Sequence, residues 1–127
     1  MPNKHNVKYI VVHSTATDMR QSIDVFKLPY HFIITLSGRL LNLSQVNAKD
    51  GCVDIAYVGG IDKKGNVQDT RTTTQCDCMF NTIVLLSEQF PDARIIGADE
   101  LYGAKEQPGF NVKSWLQEYV PVMLLAA

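Results

Sequence analysis

Long apolar runs are missing from this sequence. Its most apolar end, "VPVMLLAA" at 120–127, is far too short to span a bilayer. The opening "MPNKHNVKYIVVH" has a lysine but no apolar stretch followed by a small-residue cleavage site, so no secretory signal peptide is read there. A basic excess is missing too. The 12 Lys and Arg are set against 13 Asp and Glu, and a net charge of −1 argues against nucleic acid as a partner. Cysteines are few: Cys52, Cys76 and Cys78 make an odd number, and two of them are only two apart. That pattern opposes a disulfide framework and favours a reducing, cytoplasmic setting. No nucleophile elbow, phosphate loop or dinucleotide fingerprint occurs.

What is present is ordinary globular chemistry, and 127 residues set the expectation of a single domain, 1–127. "VKYIVV" is a continuous β-branched run, as in a central strand buried on both faces. "YHFIITLSGRLLNLS" reads as two strands around a turn at Gly38, and "VDIAYV" is a further strand closed by Gly59 and Gly60. "IDKKGNVQDTR" is a polar loop turning at Gly65. Thr72 and Gln75 fit a capping box opening a helix, with Cys76, Met79, Ile83, Leu86 and Phe90 along one face and Pro91 ending it. "ARIIGA" is a last buried strand, and Asn111 caps a short helix holding Trp115, Leu116 and Tyr119. These segments predict strands near 8–13, 31–36, 39–43, 53–58 and 94–97, and a helix over 73–90. The fold class is α/β, a mixed central sheet flanked by helices.

Several residue groups invite chemistry and are better read as structure. Cys76 and Cys78, two apart on a helix, point about 200° from one another and do not converge on one ion. Cys76 is read as core packing on the apolar stripe. Asp62, Asp69, Asp99 and Glu100 form no calcium loop or paired acid and base. Ser14 beside His13 faces the other side of the strand, so the two make a poor nucleophile and base. His31, next to Tyr30, reads as a satisfied structural histidine. Taken alone, His13 reads the same way.

Four segments read together carry more. "KYIVVHSTAT", "PYHFIITLSGRLLNL", "IAYVGGIDKKGN" and "FPDARIIGADELYGAKEQPGFNVKSWL" resemble the zinc-dependent N-acetylmuramoyl-L-alanine amidases of the bacteriophage-lysozyme type, related to the peptidoglycan recognition proteins. The match is ordered and covers most of the chain. The resemblance implies helices packed on a mixed sheet and a peptidoglycan groove across one side. It places His13 at a zinc-ligand position, Tyr30 at a position that assists the reaction centre, and Lys105 at one that stabilises the oxyanion.

The same resemblance exposes departures. Ala98 stands where the family's second zinc-binding histidine follows the last strand's glycine, here Gly97. Gln107, before Pro108, stands where the third ligand, a cysteine or aspartate, belongs. His13 is then the only retained ligand-type residue. A complete zinc site contributes on the order of 10 kcal/mol from several charge-donating ligands together, and this set does not reproduce it. No zinc or other cofactor is expected. "MRQSIDVFKL" and "SQVNAKDGC" are shorter than the family's corresponding segments, so the groove loses walls. The expected function is therefore a catalytically silent amidase homologue, with Tyr30 and Lys105 vestigial. His13, Tyr30, Ala98, Lys105 and Gln107 would gather in a cleft for a muramyl peptide or a protein partner. The alternative is a working amidase whose missing ligands are replaced, with Asp99 or Glu100 moving toward the Ala98 slot.

Overall fold

The computed structural model describes residues 6–18, 22–46, 51–103 and 108–119. Five strands form one sheet: β1 (Tyr9–Ser14), β2 (Phe32–Ile34), β3 (Leu40–Asn42), β4 (Cys52–Tyr57) and β5 (Arg94–Gly97), in the order β3-β2-β4-β1-β5. β4 runs parallel to both β1 and β2, β5 runs parallel to β1, and only the β2–β3 hairpin is antiparallel. Three helices join the sheet: α1 (Thr73–Gln89), α2 (Ala98–Tyr102) and α3 (Val112–Glu118). This is the expected mixed α/β sheet. A single 3-10 turn at Val25–Lys27 and the five-residue α2 are additions to the sequence reading.

Alternation along β1 and β4 divides the sheet into two faces. Ile10, Val12, Val53, Ile55 and Tyr57 pack with Met79, Ile83, Leu86 and Phe90 of the α1 region and with Val112 of α3. Val11, Ile96 and Ala98 form a smaller cluster on the other face, with Leu101 of α2 against it. The functional question concerns this second face.

α1 begins as its capping box requires. Thr72 Oγ1 accepts from the Gln75 amide at 3.1 Å, and Gln75 Oε1 accepts from the Thr72 amide at 3.0 Å. Its buried face differs from the expected stripe: Gln75 is fully buried and Thr82 is buried too, whereas Cys76 is half-buried. For Gln75 the reason is a hydrogen-bonding role that no periodicity displays. Gln75 Nε2 donates to the Thr35 and Val58 carbonyls at 3.1 and 3.0 Å, tying α1 to the ends of β2 and β4.

Aromatic and charged side chains fix α3 and the loop before α1. The Arg71 guanidinium stacks on Phe110 at 3.3 Å and lies 4.4 Å from Trp115, while Nε and Nη2 each reach an Asp69 oxygen at 2.9 Å. Asp62 Oδ1 accepts the Lys64 and Asn66 amides, and the Asn66 bond leads in holding its carboxyl below the ordinary range. Tyr57, fully buried, donates to the Pro108 carbonyl at 2.7 Å. Burial, then Asp69, pushes its phenol well above the usual value. Tyr57→Phe is expected to cost about 1–3 kcal/mol in chemical denaturation, because the Pro108 carbonyl stays buried without that partner. The wild-type protein loses stability as pH rises above about 10, since the unfolded tyrosine ionises there and the folded one does not. A smaller alkaline loss in Tyr57→Phe checks the assignment. Among the described residues no helix is long and apolar enough to cross a membrane.

Candidate functional site

The second face of the sheet carries a polar group among apolar neighbours. His13, near the end of β1, shares its face with Val11 and is 8% exposed. Its Nε2 lies 2.8 Å from Asp54 Oδ1, in the middle of β4. On the other side of Asp54, His31 precedes β2 and is also 8% exposed. The Asp54 amide donates to His31 Nδ1 at 2.9 Å, and Asp54 Oδ2 stands 3.6 Å from the same nitrogen. Backbone pairing sets this arrangement, because the His31 amide donates to the Asp54 carbonyl at 3.0 Å, which continues the β2–β4 ladder by one residue.

Two tyrosines flank the pair. The Tyr30 ring lies 4.9 Å from the His13 ring, and its hydroxyl donates to the Ser14 carbonyl at 3.4 Å. Burial, and then the negative charge of Asp54, raises the Tyr30 phenol above its ordinary pKa, so it remains a hydrogen-bond donor near neutrality. Tyr102, at the end of α2, stacks 6.2 Å from His13 and is raised for the same leading reasons, burial and Asp54. The turn leaving β1 is pinned close by. The Gly59 amide donates to Thr15 Oγ1 at 3.1 Å, and Thr15 and Thr17 hydroxyls share a bond of 2.7 Å.

Ala98 opens α2 directly after β5. β1 and β5 are paired up to Val12↔Gly97, the residues just before His13 and Ala98. Ala98 is 1% exposed and packs in the cluster of Val11 and Ile96. His13, Tyr30 and Ala98 therefore lie in one region. Lys105 and Gln107, the other two members of the expected cleft, lie outside the described residues.

Similarity to known proteins follows this geometry. No model of a known protein family matches the chain. In sequence it is 24% identical over 135 residues to an endolysin of Klebsiella phage KP32, across 91% of this chain and 89% of the relative. In structure it superposes on the Ph2119 endolysin of a Thermus scotoductus bacteriophage with TM-score 0.65 and 19% identity, covering 93% of this chain and 84% of that one. It also superposes on the N-acetylmuramoyl-L-alanine amidase LysCS from Clostridium intestinale, with TM-score 0.67 and 16% identity over 90% and 83% of the two chains. The fold is that of the amidases and peptidoglycan recognition proteins. Bumblebee PGRP-SA fits in the same way, with TM-score 0.60 and 14% identity over 91% of this chain and 84% of its own. The resemblance carried by the four sequence segments thus holds for the architecture, and the endolysin match agrees with it.

An amidase fold raises the question of zinc, and the donor set answers part of it. A hydrolytic zinc site uses three protein ligands and a water. Here the methyl of Ala98 offers no lone pair, and His13, its Nε2 held by Asp54, keeps one nitrogen, Nδ1, as a donor. Among the described residues no group of three or more His, Cys, Asp or Glu is placed to hold a metal ion. The described residues do not by themselves supply a zinc site of the hydrolytic kind. Glu100, one carboxylate considered for a replacement ligand, is committed elsewhere: its Oε2 accepts the Gly97 amide at 2.8 Å and caps α2.

Sequence reasoning passed over Asp54 and Tyr102. For Asp54 a signal existed, a lone carboxylate inside the apolar run "VDIAYV". A charge in the middle of a central strand requires partners, and both histidines serve. Tyr102 carried no comparable signal, since nothing in its neighbours announces the short helix that presents it.

Proposed function

We propose that this chain is an amidase homologue that binds peptidoglycan fragments without hydrolysing them. The observation that carries the reading is Ala98, a buried methyl directly after β5, at the position where the resemblance sets the family's second histidine. On this reading residues 1–127 act as one amidase-like unit with shortened groove segments. His13, Tyr30, Lys105 and Gln107 are vestiges of catalysis kept for binding a muramyl peptide. Two solved proteins of the same fold carry amidase or PGRP-SA in their names, which supports a peptidoglycan-related ligand. The odd number of cysteines is in keeping with the reducing, cytoplasmic setting read from the sequence.

Without a metal there is no bound water whose pKa is lowered toward neutrality, and amide hydrolysis lacks its nucleophile. The expected result is that purified sacculi, incubated with the protein and added zinc, release no more muramyl peptide than with His13→Ala. Muramyl dipeptide at millimolar concentration should still shift backbone amide resonances around His13, Tyr30 and Asp54, and Lys105→Ala should weaken those shifts. Zinc-dependent release that His13→Ala abolishes would overturn the reading. Absence of any shift would remove the cell-wall ligand and leave a protein partner.

A second reading has one observation in its favour. Asp54 places a carboxylate oxygen beside His13 Nε2, and carboxylates are acceptable zinc ligands. A metal-dependent amidase with Asp54 as a replacement ligand would purify with stoichiometric zinc when no chelator is used. A folded, metal-free protein speaks for the silent reading.

A further inference from the structure

An ionised carboxylate only accepts hydrogen bonds and a backbone N–H only donates, so a residue that meets an imidazole with either group dictates where the ring's proton sits. Asp54 does both, to two different histidines. Its carboxylate Oδ1 faces His13 Nε2 at 2.8 Å, so that nitrogen carries the proton. Its amide donates to His31 Nδ1 at 2.9 Å, so that nitrogen carries the lone pair and Nε2 the proton.

We propose that Asp54 is the positioning residue of this cleft, fixing His13 through its side chain and His31 through its backbone in the Nε2–H form. The consequence bears on what the cleft accepts. Neither nitrogen that faces Asp54 has a lone pair to give a cation: His13 Nε2 is protonated, and the lone pair of His31 Nδ1 is spent on the amide. Of the two remaining ring nitrogens, His13 Nδ1 keeps a lone pair and His31 Nε2 an N–H. The two rings thus present one acceptor and one donor, suited to a neutral group that both donates and accepts, as a peptide amide does, while offering a divalent metal one lone pair where it needs several. Tyr30 and Tyr102 add aromatic surface beside His13.

This deepens the proposed binding role, and its test is independent of that role because the tautomers are read with no ligand present. Long-range proton–nitrogen spectra of uniformly labelled protein, at mildly alkaline pH, report which ring nitrogen carries hydrogen. Single His→Gln variants assign the signals. In the wild type His13 and His31 should each show one Nε2–H tautomer, with the His13 Nε2–H proton shifted downfield by its carboxylate partner. Asp54→Ala removes the side chain and keeps the amide. His13 should then lose the downfield proton and average toward a mixture of tautomers, while the His31 nitrogens stay put. Asp54→Asn, whose side-chain carbonyl can still accept, should restore the single His13 form. One equivalent of zinc should move neither ring in the wild type. The proposal is overturned if wild-type His13 is protonated at Nδ1, or if Asp54→Ala changes both rings alike. Zinc shifting the nitrogens of either ring at one equivalent would overturn it as well. The wild-type spectra alone decide the matter should a variant fail to fold.

Discussion

Gln75→Ala is expected to lower the unfolding free energy by about 3–5 kcal/mol, a large fraction of the stability of an ordinary domain. Gln75 is fully buried, and its side chain serves three backbone groups at once: the Thr72 amide and the Thr35 and Val58 carbonyls. Truncation leaves those groups without that partner, each at a cost of about 1–3 kcal/mol if water cannot reach it. A cavity is added to that loss. Gln75→Met separates the two terms, because it fills the volume and restores none of the bonds. Urea denaturation should place Gln75→Met within about 1 kcal/mol of Gln75→Ala if hydrogen bonding dominates. A methionine variant as stable as the wild type would show that packing alone matters at this site.

Gly60→Ala should be nearly as damaging, at about 3 kcal/mol or more. Gly60 has φ +103°, a conformation that side chains of L-residues rarely adopt. An added Cβ would also run into the buried Ser14 side chain, approaching its Cβ to 2.5 Å. Ser14 follows His13, and its hydroxyl accepts the Ala16 amide at 3.1 Å. Displacement there should reach the cleft, so the variant ought to lose ligand-induced amide shifts as well as stability. Gly65→Ala is the control, since Gly65 also has positive φ but nothing stands within 4 Å of its added Cβ. Thermal melts showing equal losses for the two variants would mean that backbone strain, rather than the contact with Ser14, sets the cost at Gly60.

The legible parts of the fold were those fixed by short-range chemistry. The Thr72–Gln75 capping box closes over three residues, and it opens α1 where the sequence placed it. Asn111 likewise caps α3, accepting the Ser114 amide at 2.8 Å. Continuous apolar runs placed β1, β4 and β5 within one or two residues of their observed limits, because strands buried on both faces need such runs. Cys76 was misplaced onto the buried stripe for an equally physical reason. Periodicity assigns the core to apolar residues, and it cannot see that a neighbouring glutamine has distant carbonyls to satisfy.

By itself the sequence determined the mixed α/β architecture and the amidase resemblance, and it singled out His13, Tyr30 and Ala98. These depend on residue type and order along the chain, which survive without any knowledge of contacts. Only the tertiary structure decided what His13 touches. Its partner Asp54 is 41 residues away and meets it because parallel pairing sets β4 beside β1 in one register. A one-residue slip would turn that carboxylate to the opposite face, toward α1. The β1–β5 register likewise pairs Gly97 with Val12, the residues just before Ala98 and His13. Register is a property of packed neighbours, so the chemistry of the cleft is set across strands rather than along any one of them.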